Sequence, residues 1–80
     1  MSDEPKITFR KRGSEYRVYV DGVERGTVWS GWNRMLASYW MHSGVPLTLR
    51  RNPMQGWSTR RDAARALLGL DAPKKYPRLG

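Results

Sequence analysis

Eighty residues allow one domain with a small core, burying only about 60% of the surface the unfolded chain exposes. The absence of cysteine removes disulfides, thiol nucleophiles and thiolate metal sites, and it fits a reducing cytosol. Fifteen Lys and Arg against seven Asp and Glu leave a charge of +8, and eleven of those cations are arginine, so the chain should be drawn to nucleic acid or to acidic protein surfaces.

Met1-Ser2-Asp3-Glu4-Pro5 is short, acidic and polar. Residues 1–5 read as a disordered start, not as a signal peptide. No apolar run approaches the roughly 18–20 residues of a membrane span, so no membrane contact and a cytoplasmic location are expected.

Residues 6–29 read as three short strands joined by two tight turns, Gly13-Ser14 and Asp21-Gly22. Gly-Ser suits a type II′ turn and Asp-Gly a type I′ turn, the commonest two-residue hairpin connections. Such turns pair their flanking residues directly. Arg12 then faces Glu15, Arg10 faces Arg17, Phe9 faces Val18, Thr8 faces Tyr19 and Ile7 faces Val20. Period-2 alternation gathers Ile7, Phe9, Tyr16, Val18, Val20, Val23 and Trp29 on one side. Lys6, Thr8, Arg10, Arg12, Arg17 and Tyr19 fall on the other. Arg10 opposite Arg17 is an unfavourable like-charge pair that a bound phosphate would relieve. A charged solvent face is also what any sheet with one covered face shows. Arg25 is the misfit, landing beside Val18; a bulge after Asp21-Gly22 would move it to the basic side and take Trp29 with it.

Segment 31–43 supports two readings. With period 3.6, Trp32, Met35, Leu36, Tyr39 and Trp40 form one stripe, with Ser30 as a cap and Gly44 as a stop, a second short helix. Continuation of the meander past Ser30-Gly31 makes the same residues a strand. Residues 45–51 look extended, since Leu47 and Leu49 alternate with Thr48 and Arg50, and Asn52-Pro53 breaks the run. Arg50 and Arg51, beside that turn, are candidate phosphate contacts or else a polar edge.

Residues 58–70 are the clearest helix. Thr59 is placed to cap it, with Asp62 at the third helical position where an acid suits the dipole. Ala63, Ala64, Ala66, Leu67 and Leu70 make a broad apolar face, and Gly69 can end the helix. Arg60 and Arg61 stand beside free backbone N–H groups, a combination that favours phosphate, although they also solubilise the helix start. Residues 71–80 are basic and poor in apolar side chains, a flexible tail able to add phosphate affinity.

The expected fold is therefore α+β: a single domain over 6–70, with an antiparallel meander of three or more strands packed by a C-terminal helix. No catalytic constellation stands out. His42 is the one histidine, the carboxylates are scattered and no Gly-rich phosphate loop is present. No enzyme activity, metal or cofactor is expected.

The hairpin VDGVERGTV and the run GWSTRRDAARALL resemble the small sheet-plus-helix domains of phage and mobile-element proteins. Among them are the AP2-like and arm-type DNA-binding domains of tyrosine integrases. The resemblance covers residues 6–28 and 57–70, and the stretch 32–54 has no counterpart in it. It implies a three-stranded sheet laid in the DNA major groove with a helix behind it.

Two functions are expected from these features. The first is a small accessory or regulatory protein binding nucleic acid, double-stranded DNA foremost, through Lys6, Arg10, Arg12, Arg17 and Tyr19, with Arg50, Arg51, Arg60 and Arg61 as further contacts. The second is a protein-binding module, such as a phage-encoded anti-CRISPR inhibitor of a host nucleic-acid machine, acting on an acidic or nucleic-acid-associated partner. It would use a Trp/Arg patch and could form a homodimer. Two tryptophans exposed together would favour it.

Overall fold

The computed structural model describes residues 5–34 and 37–75. Of the expected disordered start 1–5 and flexible tail 71–80, residues 1–4 and 76–80 lie outside the described residues. The fold is α+β: a four-stranded antiparallel sheet in the order β1-β2-β3-β4, packed against one helix. The strands are β1 (Ile7–Arg12), β2 (Glu15–Val20), β3 (Val23–Asn33) and β4 (Ala37–His42). Two short 3-10 turns, Leu47–Leu49 and Pro53–Gln55, lead into α1 (Arg60–Leu67).

The first hairpin has the register that its turn dictates, Ile7 opposite Val20 through Arg12 opposite Glu15. Gly13 carries a positive φ of 64°, and Asp21 and Gly22 carry φ of 51° and 84°, the backbone that primed hairpin turns require. In the second hairpin Tyr19 pairs with Glu24 but Val18 pairs with Gly26, so Arg25 is one residue too many and the strand bulges there. Beyond the bulge Val28 stands opposite Tyr16, and Trp29 stands opposite Glu15. This corrects the placement of Trp29: it lies on the face of Arg17, and Val28 takes the apolar position.

Segment 31–43 is a hairpin limb and not a second helix. β3 runs on to Asn33 and pairs with β4 from Val28 opposite His42 to Asn33 opposite Ala37. Met35 and Leu36, two members of the expected helical stripe, lie outside the described residues. Tyr39 and Trp40 therefore point to opposite sides of the sheet. The stretch lacking a counterpart in the integrase resemblance supplies this fourth strand.

α1 lies against β3 and β4 on the side of Val18, Val28 and His42. Ala63 and Ala64 are fully buried there, and their small size lets the helix come close. Thr59 caps it in an extended conformation, its Oγ1 accepting the Asp62 N–H at 3.0 Å. At the far end Leu70 N–H reaches the Arg65 carbonyl at 2.8 Å, and Gly69 takes the left-handed turn at φ 78°.

The opposite side of β3–β4 is also covered. Met41 is fully buried and Tyr39 nearly so, both on the Trp29 side of the register. The loop 45–55 closes there, with its second 3-10 turn against β3. The extended reading of 45–51 is thus replaced by the turn Leu47–Leu49. Arg50 explains the change: its Nη2 donates to Ser43 O at 2.7 Å and its Nε to Val45 O at 2.8 Å, curling the chain back on itself. The outer edge of β4 is tied by reciprocal bonds between Trp40 and Trp57, 2.8 and 2.9 Å. Residues 71–75 close the layer: Lys75 N–H donates to Gly56 O, Trp57 Nε1–H to Ala72 O, and Lys75 Nζ to Ser38 O.

Candidate nucleic-acid interface

The sheet has two halves with different surroundings. β3–β4 is sandwiched between α1 and the loop, whereas among the described residues β1–β2 meets a covering layer on one side only. On that covered side Phe9 and Ile7 are half-buried and Val18 is fully buried. On the open side Thr8, Arg10, Arg12 and Glu15 are exposed, and Arg17 and Tyr19 are half-buried.

Arg10 and Arg17 are directly opposed, with Arg12 two residues along β1 from Arg10. Lys6 precedes β1 on the same side by alternation. Thr8, Arg10, Tyr19 and Gly22 border a shallow hollow at the turn end of this face. Two carboxylates sit among the cations: Glu15 stands opposite Arg12, and Glu24 Oε1 receives Arg17 Nη1 at 3.0 Å and the Tyr19 hydroxyl at 3.4 Å. The two side chains of the ion pair are 35% and 49% exposed, so its worth is at most about 1 kcal/mol. Glu24 supplies the counter-charge expected from a phosphate, and it leaves Arg10 and Arg12 with no ionic partner among the described residues.

The other sequence-predicted contacts fall elsewhere. The guanidinium of Arg50 is committed to two backbone carbonyls and lies 5.5 Å from the Trp29 ring centroid. Arg51 is exposed on the same loop. Arg60 is on the opposite side of the sheet, stacked 4.6 Å from the Phe9 centroid and 4.4 Å from that of Tyr16, where it bridges helix and hairpin. Arg61 is exposed at the helix start. The structure therefore brings together Lys6, Arg10, Arg12, Arg17 and Tyr19, and separates them from Arg60 and Arg61. Sequence reasoning missed Glu24 as the partner of Arg17; the Tyr19–Glu24 pairing was its available signal.

His42 is buried, with its ring 4.7 Å from that of Trp57 and its Nδ1 accepting the Gly44 N–H at 3.0 Å. Burial, with the Arg50 charge as the lesser cause, lowers its pKa from 6.5. Among the described residues no helix is long and apolar enough to cross a membrane. No protein-family model matches the chain, and neither a curated protein nor a solved structure is similar enough to stand as its relative.

Proposed function

We propose that the protein binds nucleic acid, duplex DNA in the first instance, through the open face of β1 and β2. The observation that carries this reading is Arg10, Arg12 and Arg17 side by side on the uncovered half of the sheet, in a chain of charge +8. Arginine on a flat strand surface meets phosphate oxygens in bidentate fashion. Tyr19 adds a ring and a hydroxyl to the same face. The role is binding, as an accessory or regulatory factor acting in the cytoplasm, and not catalysis.

The test is a titration with generic duplex DNA at several salt concentrations. Every phosphate that a variant no longer neutralises flattens the log–log salt slope by about 0.9. Arg10→Ala with Arg12→Ala should weaken binding and flatten the slope by about two units. Glu24→Gln should strengthen binding, because it removes the carboxylate paired to Arg17. Unchanged affinity and slope in the double variant would remove the sheet face as the reader. The alternative, a protein-binding module or homodimer using a Trp/Arg patch, rested on tryptophans exposed together. Trp57 is buried, Trp29 and Trp40 are half-buried, and Trp32 stands exposed alone.

A further inference from the structure

α1 packs over β3 and β4, and at its first turn the helix side of the sheet stays open. A hollow of about 520 Å³ lies there, within the roughly 300–1,000 Å³ of small-ligand sites. Its floor is aromatic: Phe9 of β1, Tyr16 of β2 and Trp40 of β4, all half-buried. The strand registers place all three on the helix side. Tyr16 and Trp40 are neighbours, with ring centroids 5.9 Å apart.

Arg60 and Arg61 form the cationic wall. The Arg60 guanidinium is seated over two rings, 4.6 Å from the Phe9 centroid and 4.4 Å from that of Tyr16. The rings fix its position, while its N–H groups make no hydrogen bond or ion pair among the described residues. A guanidinium held in this way is preorganised to grip two oxygens of one oxyanion. Arg61 is exposed beside it, and Lys11, opposite Tyr16, adds a third cation to this side. Among the described residues no carboxylate lines the hollow: Asp62, next along α1, is not part of its wall, and Glu15 lies on the other side of the sheet.

Hydroxyl groups run between the rings and the cations. Trp57 is tied to Trp40 by two backbone bonds, and Ser58 and Thr59 carry the wall from there to Arg60. Thr59 Oγ1 accepts the Asp62 N–H, which leaves its O–H free to donate. The order along the hollow is therefore flat ring, hydroxyls, forked cation. A nucleoside monophosphate has the matching order of base, hydroxylated sugar and phosphate. Phosphotyrosine, with its phosphate directly on the ring, has no counterpart to the middle part. We infer that this hollow is a second ligand site, for a nucleoside monophosphate, with the phosphate on Arg60 and Arg61, the sugar beside Ser58 and Thr59, and the base against Trp40. It lies on the opposite side of the sheet from Arg10, Arg12 and Arg17, and it does not depend on duplex binding there.

The experiment is an NMR titration of the whole chain with AMP, adenosine, inorganic phosphate and phosphotyrosine. AMP should shift the indole N–H of Trp40 and the Arg60 signals, and bind about tenfold or more tightly than adenosine or phosphate alone. Arg61→Ala, at an exposed position, should weaken AMP by about threefold or more with an unchanged melting midpoint. Arg60→Lys keeps the charge but loses the fork, and should weaken AMP further. Arg10→Ala with Arg12→Ala should leave AMP affinity within about twofold of the wild type. Phosphate binding as tightly as AMP, shifts that avoid Trp40, or an Arg61→Ala variant with full affinity would overturn the inference. Tighter binding of phosphotyrosine than of AMP would overturn it as well. Loss of duplex binding with AMP binding retained would remove the sheet-face reading alone, and the reverse result would remove this inference alone.

Discussion

The β3 bulge opens a notch into which the helix locks. A methyl group placed on Gly26 would lie 2.7 and 3.0 Å from the two terminal carbons of Leu67, and 2.8 Å from the Ser43 hydroxyl. Leu67 is the last residue of α1, half-buried, so truncating it should cost about 2 kcal/mol, the low end for a leucine-to-alanine change. Gly26→Ala should cost about 1–3 kcal/mol through overpacking. Its backbone, at φ 158°, adds a component that no change at Leu67 relieves. The double variant is the informative one. Removing the leucine methyls empties the space that the new methyl needs, so the two costs should fall short of their sum by about 1 kcal/mol or more. Urea unfolding, read as midpoint at constant m-value, measures this cycle. For a domain of this size about 1 kcal/mol corresponds to about 4–8 °C in melting temperature, so the non-additivity is resolvable by heat as well. Costs that add to within about 0.5 kcal/mol would refute the lock between bulge and helix. The lock bears on function, because the bulge is what turns Trp29 toward the basic face and gives Arg50 its seat.

Arg50→Ala should destabilise the fold by about 2–3 kcal/mol, since it strips a charged donor from the carbonyls of Ser43 and Val45 and uncovers Trp29. Arg50→Lys should restore little of that, because one ammonium lacks the forked geometry; full rescue by lysine in chemical denaturation would show that charge alone matters. His42 should make stability fall as pH drops below 6.5. Its folded pKa is lowered, so the unfolded chain takes up the proton first, and the contribution is complete above 6.5 and lost downward toward the folded value. An NMR titration placing the His42 pKa at or above 6.5 would contradict the buried neutral ring.

The first hairpin was legible because two-residue turns leave no freedom of register, and with it came the opposition of Arg10 and Arg17. The helix was legible from Thr59, Asp62 and Gly69, whose roles are local. Segment 31–43 was ambiguous for a physical reason. β4 is covered on both sides, with Tyr39 and Met41 under the loop and Trp40 and His42 on the helix side, so apolar residues occupy consecutive positions and the period of two is erased. The same crowding mimics a helical stripe. The bulge had two local signs, Arg25 falling on the apolar face and a glycine inside a strand pattern at Gly26. The curl of 45–51 had none, since it depends on the Arg50 side chain reaching carbonyls five and seven residues back.

The cations divide by what the fold asks of them. Arg17, Arg50 and Arg60 have protein partners: a carboxylate, a pair of carbonyls and a pair of rings. Lys6, Arg10, Lys11 and Arg12 crowd the β1 edge without one among the described residues. Charges on an edge strand have a known structural use, since they discourage another strand from pairing there. If edge protection were their whole role, Lys11 would count for as much as Arg10. The register separates them: Lys11 pairs with Tyr16 and lies on the helix side, whereas Arg10 pairs with Arg17 on the open side. Lys11→Ala and Arg10→Ala should therefore favour self-association to a similar degree in sedimentation at high protein concentration, yet only Arg10→Ala should weaken duplex binding beyond the loss of one unit of net charge. Equal losses in the two variants would mean that the β1 charges act as an edge guard and a diffuse field, with no binding face.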